Sequence, residues 1–147
     1  MNLRYTGQNE KIIQAVTIAN KILLSPSFYD KIAEFAGFQY STYTGQQVAG
    51  ELKNSTSEIR VDTYWNGWFR AATAKTQTEI NINTAKLNRS MASIVNTLIH
   101  ESVHFVDWEV NHNWDYTDRN EYENPPKSAT YVIGDIAERL APEYITV

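Results

Sequence analysis

From Asn9 to Leu24 the apolar residues Ile12, Ile13, Val16, Ile18, Ala19, Ile22 and Leu23 recur three and four apart, predicting an amphipathic helix that Pro26 stops. Ser25-Pro26 then reads as an N-cap with proline at the first helical position, opening a short helix that Gly37 closes off. Thr44-Gly45-Gln46-Gln47 is a capping-box pattern and predicts another short helix through Leu52. Nothing in these first fifty residues carries recognisable chemistry, and they read as scaffold.

The period changes after polar Lys53 to Glu58. Ile59, Val61, Thr63 and Trp65 alternate with Arg60, Asp62 and Tyr64, the two-residue rhythm of a strand with one buried face. Asn66-Gly67 is a strong hairpin signal, so Trp68 to Ala74 is expected to return beside it. Thr78 to Asn83 alternates again, and the three runs predict a small antiparallel β-meander. Residues 78–83 are expected nearest a cleft, where an extended peptide could pair with a sheet edge.

Ser90 to Val110 returns to helical spacing, with Met91, Ile94, Val95, Leu98, Val103 and Val106 on one face and Asn88 or Ser90 as cap. Trp114 to Lys127 is polar, aromatic and interrupted by Pro125-Pro126, and reads as a loop. Ser128 then caps a last helix whose apolar face is Val132, Ile133, Ile136, Ala137 and Leu140, closed by Pro142. The expected architecture is α+β: one domain over residues 1–147, with N-terminal helices, the meander, a long helix and a C-terminal helix.

Composition narrows what such a domain can do. The 147 residues include no cysteine, so a transition-metal site must be built from His and carboxylate. A net charge of −4 and a pI near 5.3 argue against nucleic acid or an anionic membrane as partner. The start, Met-Asn-Leu-Arg-Tyr-Thr-Gly, has no apolar leader, and no run reaches membrane-spanning length. The expectation is a monomer, cytoplasmic or released without a Sec signal.

The chemistry concentrates in His100-Glu101-Ser102-Val103-His104, inside the long helix. Side chains four apart share a helix face with Cβ atoms about 5–6 Å apart, so His100 and His104 can present two imidazoles to one ion. Glu101, rotated off that line, suits a general base acting on water at a zinc site. The chain has three histidines, His100, His104 and His112, all within thirteen consecutive residues, which favours His112 as a third ligand. Asp107, Asp115, Asp135 and Glu138 are the alternatives, since catalytic zinc takes three protein ligands and one open position.

Residues 97–106, from Thr97 through His100-Glu101 and His104 to Val106, resemble the extended consensus of the zincin metallopeptidases. More loosely, residues 59–134 resemble small zincin-like metallopeptidases of bacterial and phage genomes. The resemblance rests on Ile82-Asn83-Thr84 at the end of the strands, the His-Glu-x-x-His helix, and Ser128-Ala129-Thr130-Tyr131-Val132-Ile133-Gly134. It implies a zincin-like domain, a bound Zn2+ ion and hydrolysis of peptide bonds. Two departures stand out. Zincins with a third histidine usually place it six residues after the second, with a glycine three after it. Here position 107 is Asp and His112 comes eight residues after His104, and no methionine beyond Met91 can form a Met-turn. A ligand from Asp135 or Glu138 would instead resemble the gluzincins.

The sequence therefore predicts a zinc-dependent peptidase with Glu101 as general base and acid, and a peptide or protein as substrate. Tyr131, in the first turn of the last helix, is the candidate second electrophile, where the helix dipole favours an oxyanion. Tyr64, Trp65, Trp68, Trp108, Trp114, Tyr116 and Tyr122 could line a groove, although bulky aromatics at such positions also serve packing. The competing reading is a zinc-binding interaction or regulatory protein without turnover; a third is a metal-free binding module.

Overall fold

The computed structural model describes residues 1–67, the backbone of 72–76, and residues 79–110 and 127–145. The elements are β1 (Asn2–Tyr5), α1 (Glu10–Leu24), α2 (Pro26–Ala33), α3 (Gly45–Asn54), β2 (Glu58–Tyr64), β3 (Ala72–Thr76), β4 (Glu79–Asn83), α4 (Met91–Val110) and α5 (Ala129–Leu140). Short 3-10 turns follow β4 at Thr84–Lys86 and α5 at Ala141–Tyr144.

The N-terminal helices start and stop for local reasons. Asn9 caps α1 by accepting from the amides of Lys11 at 3.1 Å and Ile12 at 3.2 Å. Ser25 is extended (φ −82, ψ 121), as a residue before proline must be, and this ends α1 and admits Pro26 at the head of α2. Thr44 and Gln47 form the expected reciprocal capping box, with bonds of 3.3 and 2.8 Å. Ile12, Ala15, Val16, Ala19, Ile22 and Leu23 of α1 are buried, as are Val48, Ala49 and Leu52 of α3.

The sheet has the order β1-β2-β4-β3. β1 pairs with β2 in parallel, in the register Leu3↔Ile59, and β2 pairs with β4 in parallel, in the register Val61↔Ile80. Only β3 runs antiparallel, along the outer side of β4, with an irregularity between Ala74 and Thr76. A parallel pair needs a crossover, and α1, α2 and α3 supply it between β1 and β2. Leu3, Ile59, Val61, Ile80 and Ile82 point from the sheet into the core. There α1 packs over β1, α4 lies over β3 and β4, and α5 packs against α4.

The chain is thus α+β, but the expected antiparallel meander is wrong: the sheet is mixed and mainly parallel. Both edges of β2 are committed, one to β1 and one to β4, so β3 cannot form a hairpin with it. Instead of turning back at Asn66-Gly67, β2 is held to the end of β4. The Asn66 amide donates to Asn83 Oδ1 at 3.0 Å, Asn83 Nδ2 donates to the Asn66 carbonyl at 2.6 Å, and Thr84 Oγ1 donates to the Tyr64 carbonyl at 3.1 Å. Residues 79–83 are correspondingly interior rather than at an edge, which is why Asn81 and Asn83 are buried along with Ile80 and Ile82. Among the described residues, the edge beside α4 belongs to β3.

No helix among the described residues is long and apolar enough to cross a membrane.

The parallel register is directly testable in a chain without native cysteine. Cα partners on adjacent strands stand about 4.7–4.9 Å apart, inside the range a disulfide spans. The pair Arg60→Cys/Glu79→Cys, which replaces the partners Arg60↔Glu79 on the outer face, is expected to oxidise to an intramolecular disulfide in the folded state. Mass spectrometry of the oxidised, unreduced protein checks it; absence of the bridge with native fold retained would contradict the β2–β4 pairing.

Candidate metal centre and catalytic residues

Ser90 starts α4, its hydroxyl accepting from the Ser93 amide at 3.1 Å. Arg89 folds along the first two turns. Its Nη1 donates to the Ser93 carbonyl at 3.1 Å and to Thr97 Oγ1 at 2.7 Å, and its Nε donates to the Lys86 carbonyl at 3.0 Å. Burial pushes the Arg89 guanidinium below the usual arginine range, and the Glu138 carboxylate opposes that shift. The segment before α4 is also tied to α1, because Lys11 Nζ donates to the carbonyls of Leu87 at 2.6 Å and Arg89 at 2.8 Å. These bonds fix where the motif-bearing helix begins.

Along α4, Ile94, Val95, Leu98, Ile99, Val103, Phe105 and Val106 are buried in the core. Asn96, His100 and His104 follow one another at four-residue steps and so share a face. His100 and His104 are 9% and 6% exposed, with ring centroids 5.1 Å apart and ring planes at 68°. Tyr131, the third residue of α5, sets its ring against His100 with centroids 4.7 Å apart at 71°. Trp108 stacks beside His104, with centroids 6.0 Å apart at 27°. Aromatic neighbours therefore bracket both imidazoles.

Glu101 remains half-buried, more open than the two histidines that flank it in the motif. Ser102, fully buried inside the motif, donates to the Leu98 carbonyl at 2.7 Å and has a local structural role.

Two imidazoles that bind one tetrahedral ion through nitrogens at about 2.0–2.1 Å have centroids roughly 5 Å apart, so the His100–His104 spacing suits a shared zinc ion. Among the described residues, no third His, Cys, Asp or Glu completes a metal-binding group with them. Asp135 and Glu138 instead receive Asn96 Nδ2, at 3.2 and 2.6 Å, one helical turn before His100. Asp107 is fully buried three residues beyond His104. His112 and Asp115 lie outside the described residues, as do Trp68, Trp114, Tyr116 and Tyr122. Of the remaining aromatic candidates, Tyr64 is half-buried and Trp65 is 75% exposed.

Asn96 was not singled out by sequence reasoning, and Gly134 entered only as the last residue of the Ser128–Gly134 segment, yet the two meet between α4 and α5. A Cβ on Gly134 would lie 2.3 Å from Asn96 Oδ1, so the Asn96 side chain keeps its place between α4 and α5 only while position 134 has no side chain. The signal in the sequence was Asn96 itself, a polar residue one turn ahead of the motif in an otherwise apolar helix. No family model, curated protein or solved structure matches this chain.

This contact predicts a change of sign. Gly134→Ala should destabilise the wild-type chain by roughly 1–3 kcal/mol, because Asn96 must give up its carboxylate partners to make room. In an Asn96→Ala background the clash is gone, and the same change should stabilise by about 0.5–1 kcal/mol through helix propensity. Urea unfolding of the four chains measures both; additive effects would show that the two residues are not in contact.

Proposed function

We propose that the chain is a zinc-dependent peptidase centred on His100, Glu101 and His104. The observation that carries this reading is the pair of buried imidazoles one turn apart, with a more open carboxylate next to the first. His112 is the proposed third ligand, contributed from beyond the end of α4. A bound zinc ion would supply Lewis acidity, acidifying water and polarising a peptide carbonyl.

The residues of the chain then divide the remaining work. Glu101 takes a proton from the attacking water and delivers it to the departing amine, which its partial exposure allows. Tyr131, placed against His100 at the head of α5, donates a hydrogen bond to the negative charge that develops on the carbonyl oxygen. Burial of the two imidazoles beside Trp108 and Tyr131 limits water and holds their rotamers. An extended peptide could lie along β3: among the described residues no strand pairs with its outer edge, and α4 packs beside it. The substrate would be a peptide met in an aqueous compartment.

Elemental analysis and peptide hydrolysis by the purified chain test the proposal together. Glu101→Gln should keep its zinc and lose hydrolysis by about 10²–10⁴-fold, the usual contribution of a general base. His100→Ala should lose the metal. Among ligand candidates, His112→Ala should weaken zinc binding far more than Glu138→Ala, and the reverse ranking would move the third ligand to α5. Stoichiometric zinc with wild type and Glu101→Gln equally inert on a broad peptide library would leave a zinc-binding protein without turnover. A chain that takes up no zinc on dialysis would overturn both readings.

A further inference from the structure

Of the chain's asparagines, only Asn66 is followed directly by glycine. The pairing has a chemistry of its own. The backbone nitrogen of the next residue is the nucleophile nearest to an asparagine side-chain carbonyl, which is one reason asparagine counts among the thermolabile residues. A β-carbon on that next residue obstructs the approach, and glycine has none.

The fold leaves this pair open to reaction. Gly67 is exposed, and among the described residues its N–H donates to no acceptor, so the nitrogen is not held by a bond that attack would have to break. Asn66 is anchored beside it. Its N–H donates to Asn83 Oδ1 at 3.0 Å and its carbonyl accepts from Asn83 Nδ2 at 2.6 Å, which fixes the backbone of the residue under attack. Gly67 is tied more loosely, its carbonyl accepting from Lys86 Nζ at 3.4 Å.

We propose that Asn66 is a site of self-modification, converting to isoaspartate in the folded chain. The Gly67 nitrogen, having lost its proton to hydroxide, attacks Asn66 Cγ; the new N–C bond closes a cyclic imide, and the side-chain nitrogen leaves as ammonia. Water then opens the ring. Attack at the Asn66 carbonyl carbon gives isoaspartate, in which the main chain runs on to Gly67 through Cβ and Cγ and the former carbonyl becomes a free carboxylate. Attack at Cγ gives ordinary aspartate. Water is the only co-reactant. Either product adds a negative charge to a chain of net charge −4, next to the fully buried Asn83. In isoaspartate the link from β2 toward β3 is also longer by one carbon, which changes how the strand beside α4 is joined to the interior of the sheet. The inference is independent of zinc and of turnover.

Warm incubation of the purified chain at mildly alkaline pH, with circular dichroism confirming that it stays folded, tests the proposal. Mass spectrometry of proteolytic fragments should find ammonia lost and water gained in the fragment that holds Asn66 before any other asparagine reacts. Enzymatic methylation of the new carboxyl group should identify isoaspartate there. The rate should rise about tenfold for each unit of pH, as the deprotonated fraction of the attacking amide does. Gly67→Ala is the discriminating variant. A Cβ at that position would meet Trp65 ring atoms at 3.8 and 3.9 Å, an ordinary contact, so the fold should stand. Conversion should nevertheless slow at least about tenfold, because the methyl group obstructs the near-attack geometry. Asn66 converting no faster than the other asparagines, an unchanged rate in Gly67→Ala, or an unmodified folded chain after a free peptide of sequence 64–69 has fully converted would each overturn the proposal.

Discussion

The close approach of α5 to α4 is the constraint on which the candidate site depends. At one point of that packing Gly134 leaves room for Asn96, and Asn96 in turn donates to Asp135 and Glu138. The contact combines two kinds of interaction: shape, which leaves room for the Asn96 side chain, and polar satisfaction, which keeps that asparagine from turning away. Arg89 adds a third, running its cation along the first turns of α4 within the field of Glu138.

The same logic appears at the other end of the sheet. Asn83 is fully buried and occupies both the donor and the acceptor of Asn66, so the ends of two parallel strands are joined by one side chain. Buried amides of this kind add little net stability when satisfied, and cost much when one partner is removed. They are better understood as devices that select one arrangement. Here the arrangement selected aligns β2 with β4 and, among the described residues, leaves β3 as the edge beside α4.

The helices were legible because each carries its own stop and start signals: Asn9, Pro26, the Thr44–Gln47 box and Ser90 act within a turn of the residues they control. The pairing of strands was not legible. Alternation at Ile59, Val61 and Thr63 says which face is buried and is silent on the identity or direction of the neighbour. Asn66-Gly67 misled because a turn-forming dipeptide can equally end a strand whose edges are already taken. β1 was missed altogether, since Asn-Leu-Arg-Tyr presents one buried residue, Leu3, and too short a run to show a rhythm. In the site, the spacing of His100 and His104 forecast two rings on a shared face. The contact of Asn96 with Glu138, which depends on a second helix, had no trace in local pattern beyond a polar residue out of place, whereas Tyr131 was singled out from its place in the first turn of α5.

The position of β1 has a consequence for how the molecule is made. Leu3 meets Ile59 only after three helices have been laid down between them, so β1 must wait for a partner more than fifty residues downstream. Ordering so long a connection costs chain entropy before any pairing energy returns, which slows the assembly of sheets dominated by distant contacts. A nascent chain would hold α1, α2 and α3 while β1 stayed unmatched. Leu3 and the apolar sides of α1 would meanwhile be open to wrong associations, and a helper that shields them would matter most in that interval.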